Sequence, residues 1–379
     1  MRIVHFALAL TLAGCNSGGS GYTPIPDGGG ASPDLAQTGI PDLASSSPDM
    51  ARPPLGMPIT APKNTWTWVD FADSACDDGT PTGIGVRLTD SKNLVVFLNG
   101  GGACWDYNTC ALLNTSAHGP FGAAQFAQFT KQNLSDSIFS TDPASPIADW
   151  NMVFIPYCTG DVHSGDNVVT YMGQNGATKK IFHKGHANIL AFFKRLAATV
   201  PSPDNLIISG SSAGGFGAAI NYDTARQFWP GGKGYLVDDS GPTLVGDAIS
   251  PTLRMAWFTN WNTASSLGGL CPSCGDDFSA FLPILASRYP NDRLALLSTE
   301  QDKVIRTYFG LTPDAFKTDL YALVAMRLDP LPRFKYFIET GETHTMLGNI
   351  SAHTSAGTPL GPWLKQLVTD DPQWKSVKP

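Results

Sequence analysis

Short apolar runs punctuate the chain at Leu94–Leu98, Met152–Ile155, Leu206–Ser209, Tyr235–Val237, Leu294–Leu297 and Phe334–Ile338. They are mostly continuous rather than alternating, the pattern of strands with both faces covered. Between the second and third runs lies ANILAFFKRLAATV (187–200), apolar at helical spacing. Strands alternating with helices predict an α/β fold: an open, mainly parallel sheet with helices on both faces, binding ligands beyond the carboxyl ends of its strands. The interval from Gly232 to Pro290 is too long for one crossover. Its Trp257, Trp261, Leu267 and Cys271–Cys274 loop read as a cap insertion over the site.

The N-terminus breaks this pattern. Arg2 precedes a short apolar stretch, Ile3 to Leu12, which is too short to span a bilayer and runs into Leu12-Ala13-Gly14-Cys15. That tetrapeptide resembles a bacterial lipobox, so residues 1–15 are expected to be a lipoprotein signal peptide with Cys15 as the lipidated residue. Residues 16–60 are rich in Gly, Ser, Pro and Asp, and Pro33-Asp34-Leu35-Ala36 recurs at 41–44 and, with Met50, at 48–51. Such a segment buries too little apolar surface to offset the entropy of ordering it, and reads as a disordered tether. Residues 61–379 are the expected catalytic domain. The protein should be exported and lipid-anchored in the cell envelope or on the cell surface, as a monomer.

Composition narrows the partners. Hydrophobic residues make up 42% of the 379 positions, enough for a large core, and the formal net charge is −7. No basic patch points to nucleic acid or to an anionic membrane surface. Beyond Cys15 the cysteines are Cys76, Cys104, Cys110, Cys158, Cys271 and Cys274, an even number that in an exported chain points to disulfides. Two close pairs stand out, Cys104 with Cys110 and Cys271 with Cys274, which leaves Cys76 with Cys158.

The chemistry concentrates at NLIISGSSAGG (205–215), an apolar strand breaking into Gly210-Ser211-Ser212-Ala213-Gly214, a G-x-S-x-G turn with a helix expected from Phe216. Such a turn projects a serine toward a base and aims the next N–H at an oxyanion. Later strands end in Glu300-Gln301-Asp302 and in Gly341-Glu342-Thr343-His344, which gives the order Ser212, Asp302, His344 for nucleophile, acid and base. Glu300, Asp238 and Asp239 are rival acids, and His353 is a rival late histidine. His183-x-x-His186 has metal-ligand spacing but no evident third ligand, and reads as a solvated helix start. No metal and no cofactor are expected. Asn99-Gly100-Gly101-Gly102 follows a buried strand and lacks a Walker lysine, so Gly101 and Gly102, with Ala213, are the candidate oxyanion donors.

CDDGTP (76–81), LNGGGACWDYNTC (98–110), YCTGDVHSG (157–165), GSSAGG (210–215), Asp239-Ser240-Gly241 and GETH (341–344) resemble, in order, the pectin acetylesterase family, which includes the carboxylesterase Notum. The resemblance covers roughly residues 65 to 365. It implies an α/β-hydrolase-like fold, a Ser-Asp-His triad and metal-free ester hydrolysis, and it supports the Cys76–Cys158 and Cys104–Cys110 pairings. It also implies an acylated polysaccharide such as pectin, or a small ester, as substrate, with His163 and Trp105 lining the pocket. Asn99 and Ala103 stand where many members have Glu and Trp, which leads us to expect a larger or more polar acyl pocket. The rival readings are a carboxylesterase or lipase for lipid, aryl or polyester substrates, and a non-enzymatic carbohydrate-binding lipoprotein.

Overall fold

The computed structural model describes residues 53–379 apart from Asn133. The expected signal peptide, Cys15 and the tether up to residue 52 lie outside the described residues. The strands of the main sheet are β1 (Trp66–Phe71), β2 (Thr82–Arg87), β3 (Leu94–Leu98), β4 (Asn151–Ile155), β7 (Asn205–Ser211), β8 (Lys233–Asp239), β9 (Arg293–Thr299) and β10 (Phe334–Glu339). A separate hairpin is formed by β5 (Asn167–Met172) and β6 (Thr178–His183). The sheet order is β1-β2-β4-β3-β7-β8-β9-β10. From β4 to β10 every neighbour is parallel, whereas β1 and β2 add an antiparallel edge.

Alternation within each apolar run explains why both faces are covered. Leu94, Val96 and Leu98 of β3 join one core, with Ile208, Leu236 and Leu296 of the neighbouring strands. Val95 and Phe97 join the other, with Ile207, Val237 and Leu297. The first core is closed by α2 (Gly185–Thr199), α3 (Ala213–Ile220) and α4 (Tyr222–Phe228), and the second by α1 (Ala123–Phe129) and α10 (Leu360–Val368). The mixed sheet of mostly parallel strands with helices around it bears out the α/β fold read from the apolar runs and is consistent with the α/β-hydrolase-like fold that the resemblance implies. The helix expected from Phe216 to Ala225 starts at Ala213 and breaks at Asn221, whose side chain donates back to the Gly217 carbonyl at 2.9 Å.

Two features were not visible as apolar runs. β2 carries Gly83 and Gly85, and a Cβ on Gly85 would come within 2.1 Å of the Phe126 ring. The hairpin packs Tyr171 and Ile181 on Cys104 and Cys110. The stretch before residue 61, read as tether, is also engaged: Gly56 N–H donates to the Lys194 carbonyl at 2.9 Å, Ile59 N–H donates to Thr199 Oγ1 at 2.7 Å, and Ile59 is buried. The folded body thus begins before residue 61.

The crossover between β8 and β9 holds α5 (Pro251–Ala256), α6 (Ala264–Leu267) and α7 (Phe281–Arg288). It leans on the loop after β3, because Trp261 Nε1–H donates to the Cys104 carbonyl at 2.9 Å and Asn260 Nδ2–H to the Trp105 carbonyl at 2.8 Å. Disulfides join Cys76 to Cys158, Cys104 to Cys110 and Cys271 to Cys274. Three disulfides fit an exported protein. After β9 come α8 (Lys303–Phe309) and α9 (Pro313–Leu323). No helix among the described residues is long and apolar enough to cross a membrane.

Candidate active site

At the end of β7 the backbone turns into α3 through Ser212, whose φ of 61° and ψ of −125° is a conformation that side-chain-bearing residues rarely adopt. The turn needs close backbone approach. A Cβ on Gly214 would stand 1.9 Å from the Leu98 carbonyl oxygen, and one on Gly210 would stand 2.1 Å from that of Gly214. Ser212 N–H donates to the Asp239 carbonyl at 2.7 Å, and the Ser212 carbonyl accepts from Gly215 and Phe216 at the start of α3.

The loop after β3 runs beside this elbow. A Cβ on Gly100 would meet the Ser211 carbonyl at 2.4 Å and Ser212 Cβ at 2.9 Å. Gly102 has φ +78°, and Thr115 and Tyr308 crowd it. Among the described residues, the N–H groups of Gly101, Gly102 and Ala213 donate no hydrogen bond. Ser212, Gly102 and Ala213 share a small cavity of about 30 Å³ with Ala103, Val162, Phe216, Trp257, Ile305, Tyr308 and Phe309. Its walls are mainly aromatic and aliphatic.

Two further strand ends supply the acid and base candidates. Asp302 caps the N-terminus of α8, with Oδ1 accepting from the N–H of Val304 at 2.9 Å and of Ile305 at 3.0 Å. His344 Nδ1 lies 2.8 Å from Asp302 Oδ2 and 3.0 Å from Oδ1, and Asp302 is fully buried. A carboxylate in that place orients the imidazole. The loops after β9 and β10 are knitted by Gln301 N–H to the Gly341 carbonyl and Thr299 Oγ1 to the Thr343 carbonyl. Asp302 and His344 are brought together; Ser212 and His344 are not hydrogen-bonded to each other in this structure.

The rivals are otherwise engaged. Glu300 pairs with Lys317 at 2.9 Å and accepts from Tyr321 at 2.8 Å, while His353 pairs with Glu339 at 2.7 Å. Asp238 accepts from Gly241 N–H, and burial pushes its carboxyl well up. Asp239 accepts from Ser211 Oγ and from the N–H of Met346 and Leu347, but its carboxylate does not bond the His344 ring.

Other expectations need correcting. His163 does not line the cavity: it is buried, its Nε2–H donates to the Asn99 carbonyl at 2.9 Å, and burial lowers its pKa to about 4. Its neighbour Val162 faces the cavity instead, because Val162 and His163 both hold positive φ and the chain turns there. Trp105 stands outside the cavity lining, edge-on to Tyr308 at 6.4 Å. His183 and His186 are not at a solvated helix start; both are buried, against Thr159 and Tyr171 and against Asn221 respectively. No metal-binding cluster occurs among the described residues. Trp257, read as part of a cap over the site, does line the cavity, whereas the α8 wall went unnoticed in the sequence although Ile305, Tyr308 and Phe309 sit at i, i+3 and i+4 of the helix that begins after Asp302.

A mainly parallel sheet, a strained serine between strand and helix, and an Asp–His pair at later strand ends define an α/β-hydrolase-like protein. Residues 62–276 match the Pectinacetylesterase family model. The match covers more than half of the chain, which therefore belongs to the pectinacetylesterase family. Similar curated proteins include a palmitoleoyl-protein carboxylesterase notum2 from Xenopus laevis, 31% identical over 39% of this chain and 29% of its own length. The Homo sapiens palmitoleoyl-protein carboxylesterase NOTUM is 29% identical over 40% of this chain and 30% of its own. Pectin acetylesterase 11 of Arabidopsis thaliana is 27% identical over 46% of this chain and 41% of its own. The chain thus spans less than half the length of these relatives, and Asp302 and His344 lie beyond the family-model match.

Proposed function

We propose that this protein is a serine carboxylic ester hydrolase that removes acetyl groups from an acetylated polysaccharide such as pectin. The observation that carries the reading is Ser212 at a strained elbow, opening on a small apolar cavity it shares with Gly102 and Ala213. Ser212 Oγ attacks the ester carbonyl while His344 takes its proton, and Asp302 holds the imidazole and stabilises its charged form. The N–H groups of Gly101, Gly102 and Ala213 receive the developing oxyanion. His344 then protonates the departing sugar hydroxyl, and water clears the acetyl-enzyme by the same route. No step needs a metal.

The cavity supports acetyl as the acyl group. At about 30 Å³ it is narrow beside Ser212, which favours a small acyl group. A second reading, cleavage of longer acyl esters, is supported by the mainly apolar walls. It also matches the Notum relatives, whose names give palmitoleoyl-protein carboxylesterase activity. The test is one rate series on p-nitrophenyl acetate, butyrate, octanoate and palmitate, beside acetate release from acetylated pectin, for wild type and Ser212→Ala. Acetate as the best substrate, with Ser212→Ala inactive, is expected; a maximum at octanoate or beyond would favour the second reading. In Phe309→Ala the optimum should move toward butyrate by roughly 10-fold in relative kcat/KM, the scale of one methylene in an apolar pocket.

The exported state extends to the N-terminus: residues 1–15 act as a lipoprotein signal, Cys15 carries the anchor, and the following residues tether a monomeric catalytic body to the membrane. Cys15→Ala should release the protein from the membrane fraction without changing turnover on p-nitrophenyl acetate.

A further inference from the structure

We propose that Asp239, together with Ser240, is a positioning clamp that fixes the serine elbow against the histidine loop. The proposal rests on the hydrolytic reading above, in which Ser212 and His344 must meet although they lie on different strand ends.

Asp239 ends β8, between the elbow and the histidine loop, and is fully buried. On one side its main-chain carbonyl accepts the Ser212 N–H at 2.7 Å, and its Oδ2 accepts the Ser211 hydroxyl at 2.6 Å. On the other side the same carboxylate accepts the Met346 N–H at 2.9 Å and the Leu347 N–H at 3.0 Å, both just past His344. Ser240 completes the hold: its Oγ accepts the Thr345 N–H at 3.2 Å and its hydroxyl donates to Asp239 Oδ1 at 3.2 Å. The hydroxyls of Ser211 and Ser240 and the N–H groups of Met346 and Leu347 all donate to the Asp239 carboxyl group.

The arrangement is costly unless it serves a purpose. A buried carboxylate is tolerated only where donors surround it, and these donors come from segments 28 residues before and 107 residues after it in sequence. Ser240 and Thr345 both hold positive φ, at 64° and 67°, a strained backbone for residues with side chains. A loop of that shape relaxes unless something holds it. Asp239 touches no reacting atom in this arrangement; it acts through the placement of Ser212 and His344.

The test compares full-length Asp239→Asn, Ser211→Ala, Ser240→Ala and Ser212→Ala on p-nitrophenyl acetate, with labelling by a fluorophosphonate probe. In Asp239→Asn an amide N–H faces the loop amides. Its kcat should fall roughly 10²-fold, the cost of about 1 Å of misplacement, with KM within about twofold and labelling slowed in parallel. Ser211→Ala and Ser240→Ala each remove one link and should lower kcat about 3–10-fold. A folded Asp239→Asn protein with kcat within about twofold of wild type, or with the whole loss in KM, overturns the clamp. Should Asp239→Asn fail to fold, wild-type kcat in both serine variants overturns it equally. Wild-type hydrolysis by Ser212→Ala would instead sink the hydrolytic reading itself.

Discussion

His344 and the histidines behind the sheet's mouth occupy two regions that look alike by residue type and differ in what they can do. At the mouth, the His344 side chain is 18% exposed and bonds a carboxylate, Asp302. Behind it, His163 and His183 are 3% and 0% exposed and bond main-chain carbonyls, those of Asn99 and Thr159. A carboxylate partner orients the ring, and partial exposure leaves it reachable from the mouth. A main-chain carbonyl accepts from either form of the ring and favours the charged one, but burial outweighs it and lowers both pKa values to about 4. Burial on one side, and partial exposure beside a carboxylate on the other, separate a histidine that fastens a loop from one placed at the mouth of the site.

The largest test of that contrast is catalytic. His344→Gln should lower kcat by roughly 10³–10⁴-fold or more with little change in stability, and Asp302→Asn should fall by about 10⁴-fold. Steady-state kinetics on p-nitrophenyl acetate beside urea unfolding checks both. Near-normal turnover in Asp302→Asn would remove the assignment of the mouth region.

The buried region should show itself in stability against pH. His163 and His183 have folded pKa values of about 4, below the ordinary 6.5, so the unfolded chain takes up protons first as pH falls. Their contribution is complete above about pH 6.5 and is lost toward pH 4, by up to roughly 3 kcal/mol each. Asp161 opposes them. Fully buried, with its pKa raised from 3.8 to about 6, it favours the folded state below that window and less so as pH rises through it. Burial also lowers His186 and raises Asp238 and Asp239, so the histidine contribution is read as a difference: the fall in urea midpoint between pH 6.5 and 4.5 should be smaller in His183→Gln than in wild type. Parallel profiles would mean this ring is hydrated in solution.

His163→Gln should cost about 1–3 kcal/mol in stability, from one buried hydrogen bond, and lower kcat only several-fold, through the Asn99 carbonyl that leads into Gly100, Gly101 and Gly102. A loss as large as that of His344→Gln would erase the distinction. Smallest of all, Glu300→Gln should leave kcat within about twofold, since Glu300 faces Lys317 and Tyr321 rather than His344.

Legibility followed locality. β3, β4, β7, β8, β9 and β10 were visible because strands covered on both faces need continuous apolar runs. β1 and β2 were not, because Trp66–Phe71 is a half-exposed edge and β2 spends two positions on glycines that admit Val69 and Phe126. The elbow was visible because its glycines are demanded by backbone approach within one turn. His163 was misread, because consecutive positive φ values reverse which side chain faces inward, and no composition rule reports that.

By itself, then, the sequence determined the strand runs, the strand–serine–helix turn and the glycine loop, because each follows from contacts among neighbours in the chain. Only the tertiary structure decided that Asp302 rather than Asp239 or Glu300 lies on the His344 ring. All three stand at or just beyond strand ends, and which one meets the imidazole depends on how loops some 40 residues apart are knitted together. The cavity's size was likewise decided in three dimensions, since Val162, Phe216, Trp257 and Phe309 come from separate segments that only packing of the cap and α8 brings into one wall.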